Sequence, residues 1–391
     1  MQPSSPKLSP LRILAAVCLL AVGAGILIMI AQQNDAGRRD FIAYWSAGQH
    51  LRHGQDPYDR ASILRTEIAA GFNQDRPLIM RNPPVALFLA APLGYVSATL
   101  GNILWMVGLL ICLVVSIRMI WALNGKPESR THLLGYCFAP VMACLMAGQL
   151  GLLLLLGVVL FLTYVKTRPF VAGAALLLCV VKPHLFLLFL LVVLVWALLT
   201  RSWRLLCGMG VALAASCAFT TIVDVHAWQQ YQTMVRTAGI LNEFAPSPSD
   251  LLRWLVDRDA HWLQFLPACV GCLWALGYFR KHREHWDWMD HGLLLLIVSV
   301  LCSPYSLLTD EAVLLPAMLT AVYRAENTGR SLIPFGVIAG IALFEVMGNV
   351  GISTVFYLWT VPAWLGWYLY ATRGGVRQRS SDAQEATAKI V

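Results

Sequence analysis

The feature that most constrains this chain is a series of apolar runs at the scale of a bilayer crossing, several of them short. A membrane helix needs ~20 mostly apolar residues. Such runs fall at 11–31, 101–123, 132–147, 150–165, 170–181, 184–199, 203–223, 262–279, 291–303, 311–323, 332–348 and 353–371. Charged residues make up 13% of the 391 positions and hydrophobic ones 58%, whereas a soluble domain carries roughly 25% charged residues. That leaves too little polar surface to coat a water-soluble fold. A disordered chain, a soluble enzyme with one anchor and a nucleic-acid binder are therefore excluded, and an all-α, polytopic integral membrane protein is expected.

Orientation follows from where the cations sit. Segments 1–12, 124–131, 166–169, 200–204, 280–290, 324–330 and 372–391 hold 17 Lys+Arg against 7 Asp+Glu. Short cationic loops stay in the cytoplasm, so both termini are expected there. Loops 32–82 and 224–261 then face the outside or the periplasm. The run at 11–31 exceeds the ~7–15 apolar residues of a secretory signal and reads as an uncleaved first helix. With both ends inside, the number of crossings is even. About twelve are expected in one domain spanning 1–391, with 83–98 re-entrant or interfacial unless another break is false.

The first outer loop carries Phe41, Tyr44, Trp45, Gly48 and Leu51 at helical spacing. This predicts an amphipathic helix lying among the headgroups, ended by Gly54 and Pro57. Asp40 precedes it, either as an N-cap whose carboxylate accepts backbone N–H bonds or as a catalytic group. The second loop contains Pro246, Ser247, Pro248, Ser249 and Asp250. It reads as a mobile connector or lid, with Ser249 or Asp250 capping a helix that starts at Leu251. All ten cysteines fall in apolar runs, and the Cys269-to-Cys272 pair reads as two core thiols.

Ionisable groups at membrane depth are costly and point to function. Lys182 and His184 flank Pro183 inside a long apolar stretch. There Lys182 either holds a phosphate or snorkels from a helix end. Gln149 is a lone amide that bonds between helices or contacts a ligand. Asp310 and Glu311 lie at an outer end, and Glu345 needs a partner, expected to be a cation or a polar helix face. No Walker loop, H-E-x-x-H or G-x-S-x-G motif is present, nor a metal-ligand signature. The cytoplasmic loops are too short for a nucleotide-binding domain, so an enzyme here would draw on a lipid-borne donor at the outer surface.

The order of these pieces resembles glycosyltransferase family 87, membrane enzymes of the GT-C fold that use polyprenyl-phosphate sugars. The resemblance rests on Asp40 followed by Tyr44, Trp45 and Ala47, then Gly54, Pro57 and Tyr58. It continues through Pro83, Pro84, Pro92 and Leu93 to Gly148 with Gln149, Lys182 with Pro183, and the Ser-Pro-Tyr-Ser at 303–306. Asn82 stands where the family has an aromatic, and Thr309 precedes Asp310 where the family has Tyr.

The resemblance implies an inverting glycosyltransferase. It would move a hexose such as mannose, or arabinofuranose, from a polyprenyl-phosphate donor to a lipid or glycan acceptor at the outer face of a bacterial plasma membrane. Neither cofactor nor metal is implied. Asp40 is then the expected general base, although a carboxylate at the usual value of ~3.9 is a weak one. Lys182 is expected on the departing phosphate, with His184, Arg81, Gln149, Tyr44 and Asp310 as further donor- or substrate-binding residues. A transporter or flippase of lipid-linked or small polar substrates is the rival reading. It would explain the intramembrane charges but not the absence of a visible internal repeat.

Overall fold

The computed structural model describes residues 40–237, 243–348, 350–351 and 353–373. The expected first span at 11–31 and the C-terminal tail beyond 373 lie outside them. Every regular element among the described residues is helical. Three stretches, Ala98–Leu123, Trp203–Val223 and His261–His285, are long and apolar enough to cross a membrane. Shorter apolar helices accompany them, including Gly151–Tyr164, Pro183–Leu199 and Ile333–Met347.

The elements used below are α1 (Phe41–Arg52), α2 (Arg60–Ala69), α3 (Ala98–Leu123), α4 (Ala139–Ala147), α5 (Gly151–Tyr164), α6 (Leu187–Leu199), α7 (Trp203–Val223), α8 (Ala227–Thr237), α9 (Pro248–Val256), α10 (Leu266–His282), α11 (Leu315–Asn327) and α12 (Thr360–Thr372). Several start on a proline at the first or second position, as α4, α9, α10 and α11 do. Proline is tolerated there because the missing N–H would have had no intrahelical partner. Two expected boundaries also move. The run expected as a span at 311–323 becomes a 3-10 turn, Leu308–Leu314, followed by α11, and the run at 170–181 breaks into Pro169–Ala175 and Leu177–Val180.

Two helices in the loops expected to face outward reverse the sequence expectation. The helix at α1 exists, yet ten of its twelve residues are buried, so it does not lie with one face among headgroups. Its Gly48 faces Gly94 in the turn Ala91–Tyr95, and a Cβ on either would collide with the other segment's backbone. The aromatic residues of α1 pack into protein on all sides.

Loop 224–261, expected as a mobile connector, instead folds into α8 and α9. Ser247 caps α9, accepting from Asp250 N at 3.2 Å, so the helix opens at Pro248 rather than Leu251. Its polarity is inverted. Asp250 and Arg253 form a 2.9 Å ion pair that is fully buried, while Leu255 and Val256 are 75% and 65% exposed.

Residues 83–98 form short turns, with a 3-10 turn at Pro84–Ala86, one α-turn at Leu87–Ala90 and the 3-10 turn Ala91–Tyr95. Ser216 and Thr220 of α7 donate to the carbonyls of Val85 and Pro84 at 2.5 and 2.7 Å. Those bonds tie the segment's backbone carbonyls to α7, and the Pro84 carbonyl also accepts from Leu87 N. Cys269, expected in a core, is exposed on α10. The partner of Glu345 is Trp359 rather than a cation, and its Oε2 has no hydrogen-bond partner.

Candidate active site

The polar residues singled out from sequence converge on one cavity of about 460 Å³. Asp40, Tyr44, Arg81, Gln149, Lys182, His184 and Asp310 all line it, although they come from positions spread over 270 residues.

Asp40 sits in the turn before α1 with helical dihedrals, and its side chain makes no capping bond. The capping alternative therefore fails: the carboxylate turns away from the helix and accepts from Gln149 Nε2. Its backbone N–H donates to Ala147 O at 2.8 Å, which ties the start of α1 to the end of α4. Gly148 then takes the left-handed conformation, φ +69°, where a Cβ would be strained. This turn ends α4 and swings Gln149 toward α1. One turn along α1, Tyr44 OH donates to Gln149 Oε1 at 3.1 Å. The Tyr44 ring stacks on Trp105 with centroids 5.0 Å apart, and Trp105 Nε1 donates to Gly148 O at 2.7 Å.

The same lining carries a charge pair. Lys182 has non-helical dihedrals, φ −131° and ψ 72°, because Pro183 disfavours helix in the residue before it. The side chain leaves the broken helix and meets Asp310 Oδ1 at 2.7 Å, the two side chains being 15% and 3% exposed. Asp310 Oδ2 accepts from Leu307 N at 3.1 Å. Both carboxylate oxygens are thus engaged within the protein. Next to this pair, His184 lies against Tyr305 with ring centroids 4.0 Å apart, and its Nε2 is buried without a partner.

At the mouth, Arg81 makes two bonds to Glu243, 2.6 and 2.8 Å, and both side chains stay about half exposed. Asn82, which stands where an aromatic was expected, donates to Val181 O at 3.1 Å. It fastens the cavity wall to the residue before Lys182, which an aromatic ring could not do by the same bond. Glu311 faces away from the cavity. It accepts from Thr360 Oγ1 at 2.5 Å and Trp364 Nε1 at 3.0 Å, binding the turn that carries Asp310 to α12.

The surroundings push the Asp40 carboxyl above the usual carboxylate value. Burial is the main cause. The Gln149 bond and the charges of Lys182 and Arg81 pull the other way, and Asp310 adds to the rise. A raised value makes the ionised carboxylate a stronger base than sequence alone suggested. Among the described residues no group of three or more His, Cys, Asp or Glu is placed to hold a metal ion.

Sequence reasoning missed Trp105, Glu243 and the Glu311–Thr360–Trp364 cluster. Trp105 and Trp364 lie among apolar neighbours, where an indole gives no pattern to read. Glu243 lies far along the chain from Arg81, with no local signal linking the two.

A helical protein with several helices long and apolar enough to cross a membrane belongs to the polytopic membrane proteins. The profile of glycosyltransferase family 87 matches residues 81–304, more than half of the chain, and the protein belongs to that family. It is accordingly a glycosyltransferase. The matched residues include Arg81, Gln149, Lys182 and His184, while Asp40, Tyr44 and Asp310 lie on either side of them. No curated protein and no solved structure matches the chain.

Proposed function

We propose that the cavity is the active site of an inverting glycosyltransferase that takes its sugar from a polyprenyl-phosphate donor and passes it to a lipid or glycan hydroxyl. The observation that carries this reading is that a single cavity holds both a carboxylate that makes no ion pair among the described residues, Asp40, and a largely buried cation, Lys182. Inverting transfer needs a base on the acceptor side and positive charge on the leaving-group side.

In the reaction the acceptor oxygen attacks the anomeric carbon and its proton passes to Asp40. The bond from that carbon to the phosphate oxygen breaks, and the electron pair leaves with the lipid phosphate. General-base assistance is worth about 10²–10⁴-fold. A cation already in place in a water-poor site stabilises the departing phosphate without reorganisation. Lys182 supplies that charge, with Asp310 as its resting counter-ion. His184 Nε2 and Arg81 are further phosphate partners, Arg81 being suited to bidentate phosphate binding.

The positive-inside pattern supports about twelve crossings with both termini in the cytoplasm. The cavity would then open to the periplasmic or outer side, in a bacterial plasma membrane, where lipid-linked donors present their sugars. The test uses purified protein in proteoliposomes, a radiolabelled polyprenyl-phosphate mannose and a membrane-lipid extract as acceptor source. Labelled product from the wild type and none from Asp40→Asn supports the reading. Transfer that survives Asp40→Asn removes Asp40 as the base, and lipid movement across the vesicle membrane without transfer favours a transporter.

A further inference from the structure

Gln149 is held from several directions. Its backbone N–H donates to Cys144 O at 3.0 Å, and Cys144 Sγ donates to its carbonyl at 2.9 Å. Gly148 before it is locked by its left-handed turn and by the Trp105 indole. Ala147 before that accepts from Asp40 N. The side chain therefore leaves from a fixed point beside α1.

Both polar atoms of that amide are already used inside the protein. Oε1 accepts from Tyr44 OH at 3.1 Å, and Nε2 donates to Asp40 Oδ2. The Asp40 carboxylate, an acceptor only, selects this orientation of the amide, and the Tyr44 hydroxyl, able to donate or accept, holds it there. In the flipped orientation Oε1 would meet the Asp40 carboxylate, acceptor against acceptor, and only a protonated Asp40 would tolerate it. Among the described residues no other side chain hydrogen-bonds the Asp40 carboxylate, which leaves its second oxygen for the cavity.

We propose that Gln149, held by Tyr44, is a positioning residue that holds Asp40 ionised and aimed at the acceptor hydroxyl, rather than a residue that touches substrate. The inference rests on Asp40 being the base, and it deepens that reading. A bond donated to the charged form of an acid favours that form, and burial works against it here. Among the described residues the other groups facing Asp40 are Lys182, Arg81, Asp310 and Tyr44. None of them is an amide able to donate to the carboxylate and leave its second oxygen free.

The proposal is tested on the titration of Asp40, read in two ways. The first is the pH dependence of mannose transfer in the proteoliposomes described above, where the rate rises as Asp40 ionises. The second needs no substrate: it is the infrared carboxyl band of Asp40, isolated as the difference between each protein and its Asp40→Asn counterpart. Gln149→Leu removes the donor and should move both titrations to higher pH, lowering kcat at neutral pH while KM holds. Gln149→Glu keeps the volume and adds a carboxyl that must share a proton with Asp40, so it should move them further. Tyr44→Phe should move them in the same direction by less, because only the amide's orientation is loosened.

Variants that lose rate with both titrations unmoved would overturn the proposal, since a purely structural role lowers the rate without shifting Asp40. A rise in KM with unchanged kcat would make Gln149 a substrate contact and also overturn it. If the wild type transfers no sugar, the proposed function fails, while the infrared titration still decides whether Gln149 governs Asp40. Should Gln149→Leu not fold, Gln149→Glu and Tyr44→Phe carry the same two readouts.

Discussion

Two ion pairs stand at the cavity, alike in chemistry and opposite in setting. Lys182 and Asp310 meet inside, almost wholly removed from water, whereas Arg81 and Glu243 meet at the mouth, about half exposed. The Arg81 pair has the better geometry, with two bonds instead of one. Burial nonetheless decides which pair matters for stability. An exposed pair gains little because water solvates each partner when the bond breaks. A buried one leaves an uncompensated charge when either partner is lost. The inner pair is thus a committed arrangement that a phosphate can enter only by taking over one side of it. The outer pair can open at little cost.

The largest expected effect comes from breaking the inner pair. Lys182→Met should lower stability by about 3–5 kcal/mol, the cost of stranding a buried carboxylate, and abolish measurable transfer. The double variant Lys182→Met with Asp310→Asn should recover most of the stability and none of the activity. Thermal unfolding in detergent and the transfer assay read the two quantities separately. A single variant no less stable than Arg81→Ala would erase the distinction between the pairs.

Glu67 sharpens the comparison as a buried carboxylate outside the membrane helices that takes part in no ion pair among the described residues. It sits on α2 and accepts from Leu78 N at 3.1 Å, fastening a residue that lines the cavity. Burial pushes it up from 4.5 to about 7, against the bonds from Leu78 and Ser46. A raised acid binds its proton more tightly in the folded state. Its contribution is therefore full below pH 4.5 and falls as pH rises toward about 7. Glu67→Gln should flatten that decline and raise the melting temperature at neutral pH. Equal slopes of melting temperature against pH from 4.5 to 7 in both proteins would show that Glu67 is not held this way.

The smallest effect belongs to the mouth. Arg81→Ala should cost about 0.2–1 kcal/mol of stability. Any rise in KM for the anionic donor should shrink as salt increases, because exposed charges are screened within about 10 Å at 0.1 M. A loss as large as that of Lys182→Met would mean that the mouth closes over the donor and buries this pair as well.

Much of the site was legible in the sequence because isolated polar residues are conspicuous in apolar surroundings. Gln149 and Lys182 stood out on that ground, Asp310 as a charge at the end of an apolar run and Asp40 as the residue that opens the amphipathic segment, and all of them line the cavity. Their relations to one another were not legible. Nothing local in the chain pairs Lys182 with Asp310, 128 positions away, or turns Asp40 from helix cap to partner of Gln149. The setting of α1 among the headgroups was misread for a similar reason. The spacing of apolar residues reveals that a helix has a sided pattern, but not whether protein or lipid lies against it.

Composition and the order of apolar runs determined by themselves that this chain is helical and membrane-bound, because the cost of leaving peptide groups unpaired in hydrocarbon allows few alternatives. The spacing of residues around Asp40, Gln149 and Lys182 marked the family. Only the tertiary structure decided which polar groups meet, which helix turns its apolar face outward and which carboxylate remains open to the cavity. Those outcomes depend on contacts between segments a hundred or more residues apart, and no local pattern in the chain encodes them.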